Sequence, residues 1–425
     1  MNYFNKIESF IDWVQVQKRF SKKTTLNNIT HFCSLLGNPQ NTFKSIHVTG
    51  TNGKGSTVSM ISNVLQYAGY NVGTFTSPYI TCFNERISFN SKPISDDDLL
   101  VVANKVLSIY PLLEEEKFEK PTFFEFVTLC AFLYFSNLKN LDVVVLEVGM
   151  GGRLDSTNVV IPLVSVITNI ALDHMHILGD TKPLILTEKL GIVKNGIPLV
   201  CGLKEQELID IAKRKTDEAN SKLIIPRYDS LVNVKCDSNI SSFNYLNDDY
   251  QLSLIGFHQV ENALIAIETL KVLQNSFAIT NEDIYKGLKT TIWVGRFEKV
   301  SDEPLIFIDG GHNIDGVTKI TNFVKSLSYN KKRCIVAISH DKELSTMIKL
   351  IDETFDEIIF TEYTYSRSAN AIDLYNLSNN TNKKIIKNLD DAIKYIYENN
   401  YEFNIFMGSL YLVSEVRNKI LNKNV

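Results

Sequence analysis

A chain of 425 residues is longer than one ordinary hydrophobic core supports, so two or more domains are expected. With 44% hydrophobic and 22% charged residues and a net charge of −4, the composition is that of a globular protein. It carries no basic footprint for nucleic acid. No run reaches the ~18 apolar residues needed to cross a bilayer, which argues against a membrane partner.

At the N-terminus, Phe4, Ile7, Phe10, Ile11 and Val14 fall at helical spacing between Lys6, Glu8, Asp12, Lys18 and Arg19. This predicts a short amphipathic helix within 1–20, not a signal peptide. Six scattered cysteines without a CxxC pair read as reduced, mostly buried thiols in a cytoplasmic protein. A strand over 43–48, a Gly-rich turn, a helix over 56–67 and a strand over 72–75 form the first βαβ signature. Helices follow over 96–109, after a capping signal at Ser95, and over 122–135. The apolar run 142–147 predicts a strand covered on both faces. A strand over 163–168 and helices over 182–193 and 204–213 come next. Residues 226–249 are polar and weakly patterned, suiting short antiparallel strands or loops. A helix spans about 259–274. Strands over 305–309, 333–338, 357–361 and 403–406 then alternate with helices over 316–327, 343–351, 390–398 and 409–420. The fold class is therefore α/β: a P-loop-type domain with a parallel-rich sheet over 1–297, and a smaller Rossmann-like domain over 298–425.

The strongest chemical signal is Gly50-Thr51-Asn52-Gly53-Lys54-Gly55-Ser56-Thr57, between a strand and a helix. Backbone N–H groups in such a turn cradle phosphate oxygens, and the helix N-terminus favours an anion. Lys54 supplies a cation for the β/γ-phosphates and Ser56 a hydroxyl for Mg²⁺. The usual GxxxxGK[ST] pattern is altered: Val48 replaces its first Gly, and Gly55 separates Lys54 from Ser56. The alternative is a Gly-rich turn that binds nothing. Glu147 ends the buried strand 142–147 and is followed by Gly149-Met150-Gly151-Gly152-Arg153-Leu154-Asp155. A carboxylate at a strand tip can hold Mg²⁺, and Arg153 can fork onto a carboxylate or phosphate. A tight turn with a surface Arg–Asp pair reads equally well. His174 and His176 form an HxH, a weak pattern that structural histidines also give, and Glu188-Lys189 could be a solvated helix face. Asn262, Arg296 and the run Asp309-Gly310-Gly311-His312-Asn313 are individually ambiguous, although the last is a turn built for close approach. There is no GxSxG elbow, Cys/His nucleophile pair or zinc spacing. A phosphate cradle without a protein nucleophile fits chemistry carried by ATP itself.

In their order, HVTGTNGKGST (47–57), TSPY (76–79), NERI (84–87), PTFFE (121–125), EVGMGGRLDSTN (147–158), LDHMHILGDT (172–181), EKLGIVK (188–194), GFHQVENA (256–263), WVGRFE (293–298), DGGHN (309–313) and GSLYLVSEVR (408–417) span almost the whole chain. The chain thereby resembles the folylpolyglutamate synthase and dihydrofolate synthase family, within the Mur ligase superfamily. That resemblance implies a monomer acting on small molecules: ATP, L-glutamate and a folate or pteroate. ATP would phosphorylate the folate-side carboxylate, and the glutamate amine would displace phosphate from the acyl phosphate. A polyglutamylating enzyme is the leading reading. Addition of glutamate to dihydropteroate, a peptidoglycan-type Mur ligase and a non-ligating nucleotide switch are the alternatives. By resemblance, Lys54, Glu147, His174 and Lys189 carry the chemistry. Ser56, Ser77, Glu147 and His174 match ligands of two Mg²⁺, with K⁺ as a further cation. Ser77, Pro78, Arg86 and Arg153 match the substrate side. Asn262, Arg296, Asp309 and His312 match the nucleotide side, and Lys189 matches a carbamoylated lysine. Four positions depart from the family pattern: Tyr79 for His, Met150 for Leu, Leu190 for Ala and Gly311 for Ala.

Overall fold

The computed structural model describes residues 3–18, 25–399 and 401–421. Two compact units emerge. The first is the chain up to Tyr228 with Glu261–Thr290; the second is Asp229–Val260 with the chain from Thr291 onward.

The first unit is built on an eight-stranded sheet. Its strands are β1 (Ser45–Thr49), β2 (Val72–Phe75), β3 (Ile87–Phe89), β4 (Lys92–Pro93), β5 (Val143–Glu147), β6 (Val164–Ile167), β7 (Leu199–Cys201) and β8 (Leu223–Ile224). Their order is β4-β3-β2-β5-β1-β6-β7-β8. The six from β2 to β8 are parallel, and β3 and β4 add an antiparallel edge. Every residue of β1, β5 and β6 is buried, and Val143–Leu146 of β5 is continuously apolar, the pattern of a strand covered on both faces. The strand order reverses around β1: β5 and β6 flank it, one on each side. In open α/β sheets such a reversal opens a crevice at the strands' carboxyl ends.

The helices start where the sequence caps them. Ser95 accepts from the Asp98 amide and opens Asp96–Leu107. Thr122 and Glu125 form a capping box that opens Phe123–Asn137, which is buried along most of its length. The N-terminal helix is Ile7–Gln15, shorter than the amphipathic segment suggested. Phe10 and Val14 bury with Phe32, Phe126 and Phe132 against Val144 and Leu146 of β5. Arg19 lies outside the described residues. Among the described residues no helix is long and apolar enough to cross a membrane. All six thiols are free, and Cys33, Cys130, Cys201 and Cys334 are buried.

Residues 226–249 do hold antiparallel strands: β9 (Leu231–Cys236), β10 (Ser241–Tyr245) and β11 (Asp248–Leu252). This sheet belongs to the second unit, unlike the single cut expected at 297/298. The reason is packing. Ile255 and Cys236 join the second core, Tyr329 donates to Ser238 Oγ at 2.8 Å, and the Gly256 amide donates to Ser241 Oγ at 3.0 Å.

The second unit's main sheet has β12 (Glu298–Asp302), β13 (Leu305–Asp309), β14 (Lys332–Val336), β15 (Glu357–Phe360), β16 (Lys383–Ile385) and β17 (Phe403–Met407), in the order β12-β13-β17-β14-β15-β16. Its amino edge is tied by charge. Arg333 of β14 and Glu357 of β15 form an ion pair with side chains only 1% and 3% exposed. Arg333 Nη1 also donates to Asn399 O at 2.8 Å and to Asn404 Oδ1 at 3.0 Å, and its guanidinium lies 4.0 Å from the Tyr401 ring centre. Lys384 of β16 reaches the other Glu357 oxygen at 2.6 Å. Burial pushes the Glu357 carboxyl up, but Lys384 and Arg333 outweigh it and hold it below the ordinary 4.5. Replacing Glu357 by leucine leaves a buried, unpaired guanidinium, so we expect a loss of about 3–5 kcal/mol in urea unfolding. A loss below ~1 kcal/mol would show that Arg333 finds water instead. The sign with pH is fixed too. The Glu357 contribution is complete above its unfolded value and fades as pH falls below about 4.5.

Candidate active site

Because β1, β2, β5 and β6 run parallel, the segments that leave them emerge along one edge of the sheet. Those segments are the phosphate-type loop after β1, Thr76–Ser77 after β2, Val148–Asp155 after β5 and Thr168–His174 after β6.

Gly50–Gly53 turns from β1 into the helix Lys54–Tyr67, with Gly53 at its N-cap in the left-handed region (φ 79°). A Cβ on Gly53 would lie 2.2 Å from Asn262 Oδ1, and one on Gly50 would lie 1.8 Å from Thr168 Oγ1. Both glycines are thus required by contact, and Asn262 is brought directly against the loop. Lys54 folds back and donates to Gly50 O and Thr51 O, each at 3.2 Å. Ser56 and Thr57 are buried in the first helical turn. Gly55 lies between them and Lys54 in that same first turn.

Lys189, at the end of the helix Lys182–Lys189, is 2% exposed, and its Nζ donates to Gly50 O at 2.9 Å. Two lysine head groups therefore meet one carbonyl. Burial, and next the charge of Lys54, lowers the Lys189 pKa from 10.5 to about 7, against the pull of Asp173 and Asp155. The solvated-helix alternative for Lys189 is ruled out by this burial.

Glu147 is buried at the tip of β5, and its Oε2 accepts the Ser77 amide at 3.0 Å. Ser77 and Glu147 are brought together, with Pro78 following through a cis peptide bond. Arg86 is 8% exposed, and its guanidinium faces the rings of Tyr79, Phe123 and Phe83 at 5.1, 5.4 and 5.6 Å. Tyr79 is therefore part of an aromatic box around Arg86. Arg153 does not pair with Asp155: its Nη2 and Nε donate to Glu188 Oε1 at 2.8 and 3.1 Å. Asp155 instead organises its own turn, accepting from Thr157 N and Thr157 Oγ1 (2.9 and 2.6 Å) and from Met150 N (3.1 Å). His174 is exposed, in the left-handed region (φ 51°), at the head of the short helix Met175–Leu178.

A second polar group lies within the second unit. Asp309, at the tip of β13, accepts from Phe297 N at 2.9 Å and Gly311 N at 2.6 Å. Burial raises its carboxyl above 3.8, opposed by the Arg296 charge and these two amides. His312 Nδ1 donates to Gly310 O at 2.9 Å, and a Cβ on Gly310 would approach Arg296 Nη1 to 3.3 Å. Arg296, just before β12, thus lies against the turn that carries Asp309 and His312. Glu298, the last residue of the WVGRFE motif and given no role from sequence, accepts the Gly295 amide at 2.7 Å and pairs with Arg417 at 2.9 Å.

Among the described residues, no three His, Cys, Asp or Glu side chains cluster as a self-sufficient metal site. Mg²⁺ takes one or two carboxylates, with waters and substrate phosphates completing its shell. Glu147, Ser56 and Ser77 are hard oxygen donors of that kind. The imidazole of His174 is a softer donor, placed here by resemblance alone.

Comparison with known proteins identifies the family. The Mur ligase middle domain matches residues 48–270, and the Mur ligase glutamate ligase domain matches residues 295–405. A dihydrofolate synthase/folylpolyglutamate synthase of Bacillus subtilis is 37% identical, over 98% of this chain and 100% of its own. The crystal structure of a folylpolyglutamate synthase from Thermotoga maritima superposes with a TM-score of 0.86 at 31% identity, covering 98% of this chain and 97% of that one. E. coli FolC in complex with DHPP and ADP gives a TM-score of 0.87 at 25% identity, covering 100% of both. With both Mur ligase domains matched and a relative aligned end to end, the chain belongs to the dihydrofolate synthase/folylpolyglutamate synthase family of Mur ligases.

Proposed function

We propose that this protein is an ATP-dependent carboxylate–amine ligase that adds L-glutamate to a folate-type acceptor, releasing ADP and phosphate. The observation that carries this reading is the meeting of the phosphate loop, Lys54 and the buried Lys189 on the Gly50 carbonyl, at the sheet edge that also bears Glu147. In the first step a carboxylate oxygen of the acceptor takes the γ-phosphoryl group and ADP departs. In the second, the amine of glutamate attacks the acyl carbon, the C–O bond to phosphate breaks and the amine gives up a proton. Neither step uses a protein nucleophile. Lys54 offsets charge on the phosphates, the loop amides orient them, and Glu147 with Ser56 and Ser77 would hold Mg²⁺. When bound, Mg²⁺ neutralises phosphate charge during transfer. Arg86 and Arg153 are assigned to the acceptor. Asn262, Arg296, Asp309 and His312 are assigned to the nucleotide.

Lys189 fits the proposed carbamoylation chemically. A neutral amine attacks CO₂ and releases a proton, leaving a carboxylate where an ammonium stood. A lysine of pKa about 7 offers much of its population as that amine. Glutamate addition to both tetrahydrofolate and dihydropteroate at one site is the second reading, favoured by the double name of the B. subtilis relative. The free, mostly buried thiols suit a cytoplasmic enzyme.

The test is mass spectrometry of product from purified protein with ATP, Mg²⁺ and L-glutamate, and either tetrahydrofolate or dihydropteroate. One added glutamate on tetrahydrofolate alone supports a folylpolyglutamate synthase. Addition to both supports a bifunctional enzyme, and addition to dihydropteroate alone moves the protein to the preceding step. No addition to either would sink the ligase reading.

A further inference from the structure

The loop after β6 is shaped to fit the loop after β1. Thr168 is 1% exposed, and its hydroxyl occupies the notch left by the missing Gly50 side chain. From there it donates to Asn52 O at 2.6 Å. Asn169 takes two consecutive amides: its backbone carbonyl accepts from Thr51 N at 3.0 Å, and its Oδ1 accepts from Asn52 N at 2.7 Å. Thr51 Oγ1 closes the seam, donating to Ala171 O and accepting from Ala171 N, both at 3.1 Å. The Thr168 amide donates to Thr49 O at 2.9 Å, so the seam continues the β1–β6 ladder directly.

This pairing constrains which groups can hold an anion. An N–H donates one proton, and those of Thr51 and Asn52 are directed at Asn169. The amides of the first helical turn have no intrahelical carbonyl to bond. We propose that Thr168 and Asn169 are positioning residues for the phosphate loop: they engage Thr51 and Asn52, and so leave the Gly53–Ser56 amides to hold the phosphates of ATP. The inference rests on the reading that this loop binds ATP. Thr51 and Asn52 then shape the loop and do not cradle phosphate through their amides. The same segment continues to Asp173 and His174, so one loop templates the phosphate loop and carries a candidate metal ligand.

The experiment is titration calorimetry of the full-length protein with ADP and Mg²⁺, for the wild type, Thr168→Val, Thr168→Ser and Asn169→Ala. Valine keeps the shape of threonine but leaves the Asn52 carbonyl without its donor. We expect Thr168→Val and Asn169→Ala each to weaken ADP by about tenfold, and Thr168→Ser to stay within ~2-fold of wild type. In steady-state assays KM for ATP should rise by a similar factor, with KM for glutamate and for the folate acceptor unchanged. Wild-type affinity for ADP in folded Thr168→Val and Asn169→Ala would overturn the proposal. So would an equal rise of all three KM values, which marks a general structural defect. Should Asn169→Ala fail to fold, the near-isosteric Thr168→Val decides alone. Calorimetry needs no acceptor, so an absence of glutamate addition would defeat the ligase reading and leave this test standing.

Discussion

Lys54→Ala should abolish glutamate addition while the protein stays folded. The Lys54 head group already lies inside the loop, 3.2 Å from Gly50 O and Thr51 O, so no distant rearrangement is needed to bring it to a phosphate. Its loss removes a positive charge from the place where phosphoryl charge develops. Loss of one such preorganised group lowers turnover by roughly 10²–10³-fold. The side chain is half-buried and its head group bonds only within the loop, so circular dichroism and the nucleotide-free melting temperature should hardly change. A second readout separates this role from a structural one. The Lys54 charge is one of the causes holding down the Lys189 pKa, so Lys54→Ala should move the Lys189 titration toward higher pH. Wild-type turnover in folded Lys54→Ala would refute the phosphate role. Lost turnover with an unmoved Lys189 titration would refute the coupling alone.

The legible parts of this site are those written in consecutive residues. An apolar strand, a glycine-rich turn and a helix predict β1, the loop and Lys54–Tyr67, and β5 ending in Glu147 follows from four apolar residues and one carboxylate. What escaped the sequence is decided across strands. Nothing near Thr168-Asn169 marks them as partners of Thr51 and Asn52, because that pairing exists only once β6 lies beside β1. The one available signal was a polar pair directly after a strand bound for the same edge. Arg153 illustrates the same limit. Asp155, two residues away, looks like its partner, yet Glu188 holds it, because a turn that uses Asp155 to bind Thr157 and Met150 leaves that carboxylate facing inward. The helix Asn281–Lys289 is missing from the sequence expectations although its start is readable, as a Thr280–Asp283 capping box. The two-residue strand β4 offers no period to read. Placement of β9–β11 with the second unit depends on Tyr329 and the second core, far along the chain.

Lys189→Ala should lose activity by roughly a hundredfold or more, and the wild type should show why through its dependence on CO₂ and pH. Burial and the Lys54 charge lower the Lys189 pKa from 10.5 to about 7. Below pH 7 the side chain is ammonium in both folded and unfolded chains, and the fold bears the full cost of burying it. Between about 7 and 10.5 the unfolded chain binds one more proton than the folded one, so stability rises with pH across that window. Lys189→Met, which cannot carry charge, should accordingly gain most over the wild type in urea unfolding below pH 7, and the gap should narrow as pH rises. Carbamoylation follows the same titration in the other direction, because only the neutral amine attacks CO₂. With ¹³C-labelled bicarbonate and dissolved CO₂ held fixed, a carbamate resonance should be weak at pH 6, grow through pH 7 and be missing in Lys189→Ala. Bicarbonate-free, degassed buffer should depress wild-type turnover, and added bicarbonate should restore it. Small carboxylic acids should partly rescue Lys189→Ala, by returning a carboxylate to the pocket beside Gly50 and Lys54. Full activity in Lys189→Ala would end the catalytic assignment. Turnover indifferent to CO₂, with Lys189→Ala still impaired, would instead leave an amine working beside Lys54, and the pH profile would then rise through about 7 without any carbamate signal.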